Sequence, residues 1–278
     1  MDTFFISHGA PILITDDSNP QRSFLQSWKP SIMQEAPKAI LMVSAHWDTE
    51  APTVSLIHGA NDTIYDFHGL TFPSEIYKLK YPAPGAPDLA QRVKELLNKS
   101  GFGPVKEDKT RGLDHAAWVI LMLMYPEAKI PVCQLSVQTR KSAEYHYKLG
   151  QALSQLRDEG VLTIGSGNAT HNFQLLGPKD GPIAQWASDF DAWLKEALID
   201  GRYDDVNNYE EKAPNARLAH PCPDHLFPLH VALGAADFLF YVLSNQNILQ
   251  KGMKYYKQNR YSHSNFLTTS HEQILYIY

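Results

Sequence analysis

The stretch Ala39-Ile-Leu-Met-Val-Ser-Ala-His-Trp47 decides the fold, because seven small or apolar residues run without a break into a histidine. A strand with one face in water alternates polar and apolar side chains, so this run predicts a strand buried on both faces. Residues 3–7, 130–137 and 161–164 have the same character. Strands buried on both faces are typical of the parallel sheets of α/β proteins.

Amphipathic segments separate these runs. Residues 86–100 place Leu89, Val93 and Leu97 on one helical face and are followed by Gly101, a common helix C-terminal signal. Residues 142–158 and 182–198 have the same pattern. Alternating strands and helices predict an α/β fold with a central, mostly parallel sheet and helices on both faces.

Domain organisation follows from the absence of a linker-like segment or an internal repeat. We therefore predict one domain over residues 1–278. Residues 237–278 are an atypical C-terminal segment, because Gln, Asn, Lys and Tyr dominate there and the periodicity is weak.

Composition excludes several classes of protein. The chain is 44% hydrophobic and 20% charged, as in ordinary globular proteins, and its net charge of −5 argues against nucleic acid or an anionic membrane as a partner. Two cysteines, Cys133 and Cys222, exclude a disulfide framework and favour a reducing compartment. With no signal-peptide pattern and no apolar run near the roughly 20 residues of a membrane span, we predict a cytoplasmic protein.

Three of the twelve histidines follow apolar runs. His8 follows the first run, His46 the second, and His171 comes shortly after the run at 161–164. Ligands of open α/β sheets bind outside the carboxyl ends of the strands, so these side chains could share one pocket. Imidazole is a common metal ligand and general base, and the pattern therefore indicates a metal site.

Two further histidines lie in polar breaks. His115 follows Asp114, which is expected to cap the next helix, and His225 lies in a proline-rich loop that leads into a helix from Pro228. A single histidine is more often a surface or core residue than a metal ligand. We predict such ordinary positions for His58, His146, His263 and His271. His68 and His220 are candidates for a pocket rim. Gly165-Ser-Gly167 completes neither GxSxG nor GxGxxG.

Seven short motifs occur in an order that resembles a known family. They resemble the class III, LigB-like extradiol ring-cleavage dioxygenases, and within that group the DOPA-dioxygenase branch of plants and bacteria. The resemblance covers residues 1–236. Its motifs are His8-Gly-Ala-Pro11, Ser44-Ala-His-Trp47, Thr63-Ile-Tyr-Asp-Phe67, Tyr81-Pro-Ala-Pro-Gly85, Gly112-Leu-Asp-His115, His171-Asn172, and Asp224-His225 with Pro228-Leu229.

The resemblance implies a catalytic α/β domain that opens a catechol ring with O₂ at a mononuclear non-haem Fe(II), a site that Zn(II) may also occupy. His8, His46 and His225 match the family's metal-binding histidines. His171 matches an acid/base histidine that is sometimes counted as a fourth ligand, and His115 matches a second pocket histidine. Asn172 belongs to the same shell. The expected partners are a small-molecule catechol and O₂, and the expected assembly is a monomer or homodimer.

Two other classes of function fit the same histidines. A zinc-dependent hydrolase would use them to lower the pKa of a bound water. A non-catalytic, Memo-like binding protein would keep the fold without a productive site. In the dioxygenase interpretation, Asp224 and Asp48 are expected to orient the imidazoles.

Residues 172–180 depart from the stretch found in pigment-forming plant enzymes. This loop contains Phe173, Leu175, Leu176 and one cation, Lys179. We therefore expect cleavage of catechols with apolar substituents and little betalamic acid from DOPA.

Overall fold

A computed structural model describes residues 1–28, 36–67, 69–177 and 181–236. The predictions about the C-terminal segment 237–278, including His263 and His271, and those about His68 and Lys179 lie outside these residues.

Six strands of the described chain form one sheet in the order β1-β6-β2-β5-β3-β4. All neighbouring strands pair in parallel except β3 and β5, which are antiparallel. The predicted mostly parallel sheet is confirmed. Its strands are β1 (Thr3–Ser7), β2 (Ala39–Asp48), β3 (Thr53–Ser55), β4 (Lys106–Asp108), β5 (Val132–Val137) and β6 (Val161–Gly167).

Two strands run further than the apolar pattern predicts. β2 continues to Asp48, with a register shift between Ser44 and Asp48, and β6 continues to Gly167. His46 therefore lies inside the carboxyl end of β2 and does not follow it. The polar residues in these extensions still pair with neighbouring strands, which a count of apolar residues cannot reveal.

Helices cover both faces of the sheet, as predicted. Along β1, Phe5 packs into one apolar cluster and Phe4 and Ile6 pack into the other, because successive side chains point to opposite faces. The described α-helices are α1 (Pro20–Gln26), α2 (Pro87–Lys99), α3 (His115–Met124), α4 (Ala143–Leu153), α5 (Gln185–Ile199), α6 (Tyr203–Asn207), α7 (Tyr209–Lys212), α8 (Ala216–Ala219) and α9 (Phe227–Ala235).

The predicted helices are present with shifted ends. The helix expected over 142–158 ends as α4 at Leu153 and continues as a 3₁₀ turn, Ser154–Arg157. Within the described ranges, none of the helices combines the length and apolar character that crossing a membrane requires.

Candidate metal centre

Four histidine rings meet at the carboxyl ends of β1 and β2. His8 follows β1, His46 lies in β2, His115 is the first residue of α3, and His225 ends a 3₁₀ turn, Pro223–His225, before α9. The ring centroid of His46 lies 5.2 Å from that of His8, 4.9 Å from that of His225 and 4.0 Å from that of His115. The structure thus brings together the histidines that the sequence singled out from distant parts of the chain.

The nitrogen atoms of three rings are close enough to share a metal ion. His46 Nε2 and His225 Nε2 face each other at 3.1 Å, and each of His8, His46 and His225 offers one ligand atom within 4.8 Å of the others. Two nitrogens bound to one ion at about 2.1 Å lie roughly 3.0–3.4 Å apart for angles between square and tetrahedral. The donor set therefore fits a borderline or hard divalent metal that accepts imidazole.

The tautomer of His8 suits this role. Ser166 donates its hydroxyl hydrogen to the Ala116 carbonyl at 2.6 Å and therefore presents a lone pair to His8 Nδ1, 3.1 Å away. His8 then carries its hydrogen on Nδ1 and its lone pair on Nε2. The Asn168 amide nitrogen lies 3.4 Å from that Nε2.

Burial favours the neutral form of His8 and His225. Desolvation, with the neighbouring histidines adding to it, holds the pKa of His8 and the pKa of His225 well below the usual value. A neutral imidazole has the lone pair that a metal needs, so both of these rings can bind a cation at neutral pH.

Asp66 connects two of the rings, a role that its position in the sequence does not reveal. Its Oδ1 accepts hydrogen bonds from His115 Nδ1 at 3.0 Å and from the His115 backbone N–H at 2.9 Å. Its Oδ2 lies at an ion-pair distance of 3.0 Å from His46 Nδ1. Although burial opposes ionisation, the two histidines outweigh it and hold the pKa of Asp66 well below its usual range.

His171 lies at the edge of this cluster. Its ring stacks on the His225 ring, with centroids 3.4 Å apart and planes 8° from parallel, and its backbone N–H donates to the Ala219 carbonyl. A ligand atom of His171 comes within 4.8 Å of those of His225 and Asp224. The ring is half-buried, so it can face a bound molecule.

A glycine on β6 sets the position of His225. A Cβ at Gly167 would lie 2.0 Å from the His225 carbonyl oxygen, so only glycine lets the two backbones approach this closely. That carbonyl accepts a hydrogen bond from Asn168 N–H at 2.9 Å. Gly167 thus has a packing role that its incomplete sequence motif does not reveal.

Asp114 works differently from the predicted helix cap. It occupies the N-cap position of α3, but its side chain makes no capping bond. Its carboxylate is fully buried and accepts hydrogen bonds from Ser44 Oγ at 2.8 Å and Arg111 at 2.9 Å, and Arg111 also donates to the His46 carbonyl. Asp114 therefore supports β2 next to His46.

The two carboxylates expected to orient imidazoles behave differently. Asp224 Oδ1 accepts a hydrogen bond from the His225 backbone N–H and lies at an ion-pair distance of 3.0 Å from His225 Nδ1, so this carboxylate lies beside the imidazole that it was expected to orient. Asp48 was wrongly expected there, because its carboxylate accepts hydrogen bonds from the backbone and hydroxyl of Thr139. Asn172 donates to the Leu218 carbonyl and caps the 3₁₀ turn Phe173–Leu175, so it holds the loop after His171.

The remaining described histidines lie apart from the rings above. His220, a candidate for the pocket rim, is buried, and its Nε2 lies 2.8 Å from the Ala169 carbonyl oxygen. His146 is a core residue stacked on Phe227, and His58 is exposed, as expected for both.

Comparison with known proteins gives consistent matches. The family described as "Catalytic LigB subunit of aromatic ring-opening dioxygenase" matches residues 2–262. Proteins named 4,5-DOPA dioxygenase extradiol are similar to this chain. The one from Beta vulgaris is 58% identical over a match that covers 84% of this chain and 87% of the relative. The one from Escherichia coli K12 is 38% identical over a match that covers 85% of this chain and 86% of the relative.

A solved structure also resembles this one. It is the crystal structure of an uncharacterised protein from Escherichia coli K12, 33% identical in sequence, with a TM-score of 0.68. The match covers 85% of this chain and 89% of that chain. The likeness therefore includes most of both chains, and the predicted fold class is confirmed.

Proposed function

The chain belongs to the LigB family of aromatic ring-opening dioxygenases, and we propose that it opens catechol rings with O₂ at one iron ion held by His8, His46 and His225. The observation that carries the ligand assignment is the 3.1 Å approach of His46 Nε2 and His225 Nε2, with His8 beside them. The predicted enzyme class, an extradiol ring-cleavage dioxygenase, is confirmed by the family and by its curated relatives.

Iron is proposed over zinc on chemical grounds. O₂ is a triplet and reacts slowly with closed-shell catechols, so ring opening needs a metal that exchanges electrons, as Fe(II) does and d¹⁰ Zn(II) does not. The three imidazoles are neutral ligands that either metal accepts. The family favours this redox chemistry over a zinc hydrolase or a non-catalytic Memo-like protein.

The protein's own residues supply proton transfer. We assign the general base to His171, because its half-buried ring stacks on His225 at the edge of the cluster. From there it can accept the proton of a catechol hydroxyl. His115, which is fixed through Nδ1 by Asp66, turns the lone pair of its Nε2 away from that carboxylate, so it can accept the proton of the second catechol hydroxyl and return that proton as the ring opens. The role of His171 as a fourth ligand is the competing assignment.

The substrate's ring substituent should meet the loop after His171. Phe173 packs edge-on against His171 at 4.6 Å, and Phe173 and Leu176 are 59% and 69% exposed, so they are available for contact. The curated relatives are named for DOPA. We propose that DOPA-like catechols enter this site and that uncharged catechols with apolar substituents are cleaved better than DOPA. The whole chain is proposed to act as one catalytic domain, a monomer or homodimer, in the cytoplasm.

Anaerobic reconstitution with Fe(II), followed by oxygen uptake with DOPA and with simple catechols, tests the proposal. We expect uptake and a yellow ring-opened product with iron, and none with zinc. Equal activity with zinc would overturn the redox mechanism. Efficient formation of betalamic acid from DOPA, better than cleavage of uncharged catechols, would show that the loop does not select the substrate.

His225→Ala tests the ligand set. If His225 is a ligand, this variant should lose metal affinity by more than the 10- to 100-fold typical of residues that only orient ligands. Full metal stoichiometry and affinity in this variant would contradict the assignment.

A further inference from the structure

We propose that Asp66 is a positioning residue that fixes His46 in the tautomer able to bind the metal. The proposal rests on the function proposed above, in which His46 Nε2 is a ligand. Asp66 itself lies in a segment without regular secondary structure, between β3 and α2, and is half-buried. Its carboxylate lies between His46 and His115, with an oxygen 3.0 Å from the Nδ1 of each ring.

The oxygens of Asp66 determine which nitrogen of each neighbouring ring carries the hydrogen. An ionised carboxylate has no hydrogen to donate, so a nitrogen facing it at 3.0 Å should carry the hydrogen itself. The Oδ2 atom is buried and accepts no hydrogen bond within the described part of the chain, and the basic atom within ion-pair distance of it is His46 Nδ1. A lone pair on Nδ1 would repel this oxygen. His46 is therefore held with its hydrogen on Nδ1.

The hydrogen on Nδ1 of His46 leaves the other ring nitrogen able to bind a metal. A neutral imidazole with its hydrogen on Nδ1 has its lone pair on Nε2. In His46 that lone pair points toward His225 Nε2, 3.1 Å away, where the proposed metal is bound. Carboxylates that orient metal-binding histidines in this way typically contribute about 10- to 100-fold to metal affinity.

The backbone makes Asp66→Asn an informative substitution. The amide N–H of His115 donates to Oδ1 at 2.9 Å and cannot become an acceptor, so the asparagine must keep its oxygen at this position. Its NH₂ group then faces His46 Nδ1, which has to accept a hydrogen bond. The His46 hydrogen moves to Nε2 and blocks the metal. His115 still faces the oxygen and keeps its hydrogen on Nδ1.

Two measurements test this at a pH where the imidazoles are neutral. Titration of the metal-free protein with Co²⁺ should show about a 10- to 100-fold weaker affinity in Asp66→Asn. Nitrogen-15 NMR of the metal-free protein should show His46 protonated at Nδ1 in the wild type and at Nε2 in the variant, with His115 unchanged. Saturating Fe²⁺ should restore much of the variant's turnover, because the defect is one of affinity.

Asp62→Asn is the matched control. Asp62 precedes Asp66 by four residues on the same segment and is exposed, so the control removes the same charge without contacting a histidine. We expect wild-type Co²⁺ affinity and wild-type histidine tautomers in this variant.

Each other outcome is decisive. Wild-type protein with His46 protonated at Nε2 would overturn the proposal even if the variant fails to fold. Unchanged affinity in Asp66→Asn would also overturn it. Two Co²⁺ per wild-type chain and one per variant chain would show that Asp66 binds a second ion together with His46 and His115, and this result would overturn its role as a positioning residue. A wild-type chain that binds no metal would refute the proposed function, while NMR still decides the tautomer.

Discussion

Replacing Gly167 with alanine should displace His225 and weaken the metal site. The new Cβ would lie 2.0 Å from the His225 carbonyl oxygen, whereas an ordinary contact needs at least 3.4 Å. The two backbones must therefore move apart by about 1.4 Å at this point. The ring of Phe5, 3.1 Å from the same Cβ, limits movement of β6 toward that ring. The turn Pro223–His225 is therefore the part that moves, and it carries a proposed ligand with it.

The size of the effect follows from this displacement. Overpacking costs about 1–3 kcal/mol, and loss of the Asn168 N–H bond to the His225 carbonyl adds about 1 kcal/mol. We expect Gly167→Ala to lower the free energy of unfolding by about 2–4 kcal/mol. Since misplacing a reacting group by 1 Å can cost about 100-fold in rate, kcat should fall by a similar factor even with iron in excess.

Urea denaturation, metal titration and oxygen uptake measure the three effects. Gly177→Ala is the control, because a Cβ there meets nothing within 4 Å and the backbone is not left-handed. This variant should match the wild type in stability and metal affinity. The reasoning would be refuted by a Gly167→Ala protein that unfolds at the wild-type urea concentration and binds metal with wild-type affinity.

Three further predictions concern other residues. His171→Gln should lower turnover by about 10²–10⁴-fold while iron analysis shows the metal still bound, and loss of the metal would favour a four-histidine site. Burial lowers the pKa of His146 to about 3, whereas its pKa in the unfolded chain is near 6.5. The contribution of neutral His146 to the free energy of unfolding is therefore complete above pH 6.5 and is lost as the pH falls from 6.5 toward 3. The free energy of unfolding, measured with urea, should therefore fall between pH 8 and pH 5 by about 2 kcal/mol less in His146→Gln than in the wild type. An equal fall in both proteins would exclude this residue as the cause. Asp114→Ala leaves Arg111 and Ser44 without their buried acceptor and should cost about 3–5 kcal/mol in urea denaturation, a loss that Asp62→Ala should not reproduce.

The sequence by itself was sufficient to predict the main strands and two of the clustered rings, those of His8 and His46. Burial on both faces of a strand produces an unbroken apolar run, and parallel strands deliver the residues at their carboxyl ends to one edge of the sheet. Those two local rules predicted that His8 and His46 could share a pocket, and both rings lie in one cluster. The assignment of His225 came from the family resemblance, since proline-rich loops hold many residues that bind nothing.

Only the tertiary structure decided which groups support these histidines. Asp66 lies 49 residues from His115 along the chain and outside any helix or strand, so no periodicity links the two. Asp48 is closer to His46 in sequence, yet it binds Thr139 across the sheet. The strand order, the antiparallel β3 and the close approach of Gly167 to His225 also depend on long-range packing. Local sequence specifies periodicity and turn preference, whereas the contact of a side chain with a distant residue is set by how the whole chain packs.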